Sequence, residues 1–178
     1  MTISEPSTLI TDYLLGALSG VLAWRLIAAE RAPDTADPDS PGWAKRFWAT
    51  ALAATAVGSL AGGTYHGFAP GMAPSTAAVL WTATTLAMGV ASFCLLAAVV
   101  ASAFAGAVRL ALLTAAAIKL AAYSWWMLNH DAFVYVMGEY GSTLLIVLGL
   151  VAAHRVRGGP GHRAYLIGGI LVSAVAAV

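Results

Sequence analysis

Lys119 and Glu139 each interrupt a stretch otherwise apolar enough to cross a membrane, and Asn129, in the turn Asn129-His130-Asp131, is ten residues from both. In an antiparallel helical hairpin the two side chains reach the same depth, about 15 Å below the turn at 1.5 Å per residue. An ionisable group inside lipid costs roughly 2.5–3.5 kcal/mol on insertion scales, so it calls for a function or a partner. A carboxyl among lipid-like walls can act as a proton donor, unless Lys119 pairs with it and keeps it ionised. Phe133, Tyr135 and Tyr140 flank Glu139, and Tyr123 and Trp126 face it across the hairpin. That aromatic lining suits an isoprenoid or another lipid entering from the bilayer.

Helical spacing groups the other polar residues. Asp131, Tyr135 and Glu139 recur at i, i+4 and i+8, continued by Ser142 and Thr143. Lys119, Tyr123, Trp126 and His130 recur at i, i+4, i+7 and i+11, again on one face. Thr55, Ser59, Gly62 and His66 form a third stripe, and Asp12, Gly16 and Ser19 or Gly20 a fourth. Together they predict a polar cavity in the outer half of a helical bundle. Glu139, Asp12, His66 and Asp131 are the candidate catalytic residues. Lys119, Tyr123, Trp126, His130, Tyr135 and Ser59 are the candidate substrate-binding residues.

Each has a structural reading as well. Lys119 and Glu139 can form a buried ion pair that holds two helices in register. Asn-His-Asp is ordinary turn chemistry, and His66 beside glycines fits an interfacial histidine hydrogen-bonded to a neighbour. Asp12 can cap a helix just outside lipid. The spacings Gly16-x-x-x-Gly20 and Gly58-x-x-x-Gly62 are small-residue packing motifs.

The elements that must position these groups follow from composition. Of 178 residues, 60% are hydrophobic and 10% charged, where soluble domains carry about 25% charged residues; the mean hydropathy is +0.81. Apolar blocks predict six spans, at 8–30, 43–66, 75–103, 107–128, 132–153 and 164–178. No period-2 alternation is present, so the expected fold is an all-α polytopic membrane bundle, one domain over 1–178. The last span is short for a crossing helix. Seven of the nine basic residues (Arg31, Lys45, Arg46, Arg109, Arg155, Arg157 and Arg163) flank the first, third and fifth connections. The positive-inside rule then places both termini outside the cytoplasm, in a multi-pass protein of the cell membrane. The first connection, 32–42, reads APDTADPDSPG and is expected to be a flexible cytoplasmic loop. Before the first span there is no basic n-region of a signal peptide, so that span is expected to be retained.

Several chemistries have little support. A single cysteine, Cys94, excludes an intrachain disulfide and a thiolate metal site. Zinc wants three ligands, and His66 and His130 would need carboxylates to complete a set. No cofactor is predicted, although a metal near His66 is compatible with the sequence. Asp34-x-x-Asp37-x-Asp39 faintly matches aspartate clusters that hold magnesium-diphosphate, but it lies in the proline-broken loop. Phosphate-binding glycine loops, nucleophile elbows and H-E-x-x-H motifs are missing. A net charge of +1 without a basic stripe argues against nucleic acid.

Thr11-Asp12-Tyr13, Gly58-Ser59-x-x-Gly62-Gly63-Thr64-Tyr65-His66-Gly67-Phe68 and His130-Asp131-x-Phe133-x-Tyr135-Val136-x-x-x-Tyr140-Gly141 resemble an uncharacterised family of small bacterial polytopic membrane proteins known only as a domain of unknown function. A more distant resemblance is to the CREST superfamily of seven-helix membrane hydrolases, which implies a zinc bound by three histidines. In that resemblance Ser59 and His66 take the serine and first-histidine positions, while the late His-x-x-x-His pair has no counterpart here.

The expected function is therefore an enzyme acting on a lipid or isoprenoid by acid/base chemistry. The alternative is a non-catalytic membrane subunit or scaffold of a larger complex, with a membrane protein or a second copy as partner. A small transporter ranks last, since no inverted repeat is visible.

Overall fold

In the computed structural model, residues 3–30, 42–153 and 168 are described. They form five α-helices: α1 (Pro6–Glu30), α2 (Gly42–Phe68), α3 (Pro74–Ala103), α4 (Gly106–Met127) and α5 (Phe133–Ala152). A short 3₁₀ turn, Ala69–Gly71, follows α2, and no strand occurs among the described residues. Five of the expected spans are thus helices. The expected sixth, at 164–178, and the acidic loop expected at 32–42 lie outside the described residues, apart from Gly42 and Gly168.

The breaks between helices have local causes. Pro70 and Pro74 bracket the α2–α3 connection, with Pro74 in the first turn of α3, where its missing N–H costs nothing. Phe104 and Ala105 are extended, and Gly106 turns the chain into α4 at φ +58°, a conformation that an L side chain rarely adopts. At the end of α4 the Asn129 side chain donates to the Trp125 carbonyl at 2.8 Å, and its backbone N–H to that of Trp126 at 3.0 Å. These bonds satisfy carbonyls that the helix leaves open and close the turn into α5.

Packing runs along a row. α2 lies between α1 and α3, while α4 and α5 both pack on α3 and barely meet each other's backbone. Small residues bring the first three helices close: a Cβ on Gly16 would stand 2.9 Å from the Leu60 side chain, and one on Gly63 2.9 Å from the Tyr13 ring. Backbones that approach this closely gain dispersion contacts without needing water to drive them together. On the other side of α3, Leu96, Val99 and Val100 meet Ala116 of α4 and Val147 and Val151 of α5. Nearer the turn, Tyr123, Met127 and Val136 form a second apolar cluster.

Among the described residues, four helices (α1, α3, α4 and α5) are long and apolar enough to cross a membrane. α2 has the length, but its glycines, threonines and Tyr65-His66 end leave it less apolar. Its central place, between α1 and α3, asks less of its outer surface. The outer faces of the others are strongly apolar: Leu14 and Trp24 on α1, Leu110 and Ile118 on α4, and Leu145 on α5 are all more than 60% exposed.

Contacts also show which helix ends share a side. Ser4 N–H donates to the Gly67 carbonyl at 3.1 Å, and the Trp81 indole to the Asp131 carbonyl at 2.9 Å. The start of α1, the α2–α3 connection and the α4–α5 turn therefore share one end of the bundle. At the other end the Arg109 guanidinium lies 4.7 Å from the centre of the Trp43 ring.

Candidate functional site

The ten residues singled out in the sequence fall into three groups. Lys119 and Glu139 meet in the first, within the bundle. Lys119 Nζ donates to Glu139 Oε1 at 2.5 Å, to the Glu139 carbonyl at 3.1 Å and to Thr143 Oγ1 at 3.0 Å. An ammonium has three N–H groups, and here each has an acceptor. Ser92 of α3 donates to Glu139 Oε1 at 3.2 Å and lies 2.7 Å from Thr143 Oγ1. The proton of Ser92 is spent on the carboxylate, so Thr143 is the donor in that second bond. The result is a closed ring, Lys119 to Thr143 to Ser92 to Glu139, tying three helices.

Burial agrees with that reading. Ser92 and Thr143 are wholly buried and the Glu139 side chain is 9% exposed, with Lys119 at 28%. Tyr123, one turn along α4, sends its hydroxyl to the Thr85 carbonyl at 2.9 Å and lays its ring on Gly89, where a Cβ would come within 2.5 Å of it. The three Lys119 donors and the Tyr123 proton are all engaged inside the protein, so a ligand binding either donor would have to displace an existing partner.

The second group lies at the α1–α2 seam. His66 Nδ1 is 3.1 Å from Glu5 Oε2, which also accepts from Thr8 Oγ1 at 3.2 Å. Ser4 Oγ donates to the His66 carbonyl at 2.5 Å and anchors the strap of chain before α1. Tyr13 donates to Thr64 Oγ1 at 2.9 Å, since the Thr64 proton goes to the Leu60 carbonyl at 2.7 Å. Asp12 fits against two glycines: a Cβ on Gly63 would stand 2.9 Å from Asp12 Cβ, and one on Gly62 3.6 Å from Asp12 Oδ2. The carboxylate is half-buried and has no hydrogen-bond partner among the described residues. Ser59, two turns back on α2, is buried with its hydroxyl likewise unpartnered among them.

Aromatic rings form the third group. His130 stacks on Trp126 with centroids 3.8 Å apart and planes 6° off parallel, and Tyr135 sets its edge against both. His130 itself thus occupies the face of Trp126. The Asp131 side chain is exposed, and it is its carbonyl that accepts the Trp81 indole. Trp81 also lies 5.0 Å from the Tyr65 ring, 6.4 Å from His66 and 6.0 Å from Phe133, linking the second group to the start of α5.

The single four-helix pocket expected from the sequence therefore appears as separate groups. Asp12 packs against Gly62 and Gly63, about one turn before His66 on α2; among the described residues no hydrogen bond, ion pair or ring contact joins Glu139 to either Asp12 or His66. Sequence reasoning passed over Ser92, Trp81 and Glu5. Ser92 had a signal, for Thr85, Gly89 and Ser92 recur at i, i+4 and i+7 on the face of α3 that meets α4 and α5.

Chemically, the α1–α2 seam offers a half-buried carboxylate, Asp12, and an imidazole, His66, whose Nδ1 is engaged by Glu5, so that the other ring nitrogen is the one able to take or give a proton. Zinc, which the distant resemblance implies, needs three ligands. No three His, Cys, Asp or Glu side chains converge among the described residues, so these do not supply such a site.

Fold and site define a small all-helical protein with several helices fit to cross a membrane and a polar tie inside the bundle. The chain belongs to a family of unknown function, DUF6962, whose profile matches residues 7–178. No curated protein and no solved structure matches it.

Proposed function

We propose that this is a multi-pass protein of the bacterial cell membrane, with both termini outside the cytoplasm, that serves as a non-catalytic subunit or scaffold in a larger membrane assembly. The apolar outer faces of α1, α4 and α5 support the membrane reading, because exposed surfaces of this kind are solvated by lipid and aggregate in water. One observation carries the scaffold reading: the three donors of Lys119 are fully used within the protein. A charge kept for chemistry needs a free proton or lone pair; this one is spent on packing. The partner is a membrane protein or a second copy of the chain. The test is native mass spectrometry of protein purified in mild detergent. A complex of fixed stoichiometry, retained by the paired substitution Lys119→Met with Glu139→Leu, supports the reading. A lone chain that turns over lipid, and loses that turnover in Asp12→Asn, sinks it.

A second reading is favoured by the carboxylate of Asp12, which lies against α2 about one turn before His66 and has no hydrogen-bond partner among the described residues. Here the protein is an acid/base enzyme on a lipid or isoprenoid, with Asp12 and His66 exchanging the proton at the outer rim and Glu139 a structural residue. It expects His66→Ala and Asp12→Asn to abolish turnover in a folded, inserted protein. Full activity in both variants rejects it.

A further inference from the structure

We propose that the groove between the starts of α2 and α4 is a binding site for an anionic phospholipid, its phosphate held by Arg109 and an acyl chain laid along Trp43, Phe47, Leu110 and Leu113. The inference rests on the membrane reading above but concerns the opposite end of the bundle from the Asp12–His66 seam. The groove is a shallow, open cleft of about 440 Å³, lined by these residues and Gly106. That falls within the roughly 300–1,000 Å³ typical of small-molecule sites, which are likewise mostly apolar with a few placed polar groups.

Two features specify the charge of the occupant. The Arg109 guanidinium is held over the Trp43 ring at 4.7 Å, and no carboxylate pairs with it among the described residues. A stacked guanidinium keeps its in-plane N–H donors free for a phosphate, which it matches in geometry. Arg109 also sits in the first turn of α4, whose N-cap residue, Ala105, has no side chain able to cap the open N–H groups. Helix end and side chain are both positive there, so an anion relieves a repulsion that the fold has built in. The walls specify the rest. Trp43 sets its edge to Phe47 at 5.9 Å, and Phe47 to Phe93 at 6.0 Å, so the apolar side is a braced aromatic surface. A free phosphate would leave that surface uncovered, whereas a phospholipid covers both parts at once. By charge pattern this end faces the cytoplasmic leaflet, where anionic lipids gather.

The experiment uses full-length protein in detergent, titrated with phosphatidylglycerol or phosphatidylcholine and read by native mass spectrometry and thermal unfolding. Wild type should prefer phosphatidylglycerol by about fivefold to tenfold, the contribution of one basic group near an anionic surface. Arg109→Ala should remove the preference, and Leu113→Trp, which fills the groove but keeps the charge, should lower binding of both lipids. Arg25→Ala, on exposed α1, should change neither. Equal preference in wild type and Arg109→Ala overturns the proposal, as does protection by inorganic phosphate alone. So does a dimer that Leu113→Trp dissolves, because a second copy is then the occupant. If Arg109→Ala and the joint change of Asp34, Asp37 and Asp39 to Asn destabilise lipid-free protein alike, the chain's own acidic segment fills the groove and the proposal falls. Release of wild type from membranes by alkaline carbonate marks failure of the membrane reading instead.

Discussion

The ring around Lys119 and the seam around Asp12 contain the same chemical types, a carboxylate, a cationic or basic group and hydroxyls, yet they are finished to different degrees. In the ring every Lys119 donor has an acceptor and two hydroxyls are wholly buried. In the seam His66 is paired with a Glu5 that is 55% exposed, and Asp12 has no bond among the described residues. A charge whose donors are all taken up inside the protein is suited to holding helices. One left half-buried and open keeps its capacity to react or bind. Burial alone would have ranked Glu139 first as a catalytic group; the bonds from Lys119 and Ser92 to its Oε1 set it apart from Asp12, which has none among the described residues.

The contrast can be broken most easily at the ring. Glu139→Ala strands the Lys119 charge and should cost about 3–5 kcal/mol, as breaking a buried pair does. The paired Lys119→Met, Glu139→Leu variant should regain most of it, both read by denaturant titration in micelles. A single-variant loss below about 1 kcal/mol would place the ring among solvent-exposed pairs and erase the distinction. Next in size is Gly89→Ala, whose methyl collides with the Tyr123 ring; about 1–3 kcal/mol is expected from overpacking. Gly141→Ala on α5, with nothing within 4 Å of the added methyl, should be neutral or slightly stabilising. Similar melting temperatures for the two alanine variants would deny α3 its place as the tightly packed hub.

At the seam the effects should be smaller. His66→Ala or Glu5→Gln should cost no more than about 1 kcal/mol, the range of exposed ion pairs. Tyr13→Phe, which removes one interhelical bond to Thr64, should cost about 0.6 kcal/mol. A loss above about 3 kcal/mol in any of these three would make the seam as structural as the ring.

The meeting of Lys119 and Glu139 was legible because their equal distance from Asn129 is a geometric statement about a hairpin. How they meet was not. α4 and α5 lean on α3 rather than on each other, so the ammonium reaches across a gap that Ser92 helps to fill. A serine in so apolar a helix looks unremarkable until the facing carboxylate is known. The glycine spacings were read as packing, and Gly16 against Leu60 and Gly62 against Thr84 do pack that way. Depth could be read by counting residues, which is why Asp12, His66 and Glu139 were grouped. Their lateral separation depends on which helices are neighbours, and one chain's periodicity carries no such information.

Lys119 grips α5 at a side chain one turn along, at a carboxylate and at a backbone carbonyl. A single contact would allow sliding or swivelling; three fixed points act as a rivet. Inserting one residue anywhere between them and the turn would rotate α5 by about 100° and tear all three away together. Rocking α4 against α5 would have to break all three contacts at once, so the two helices move as one body.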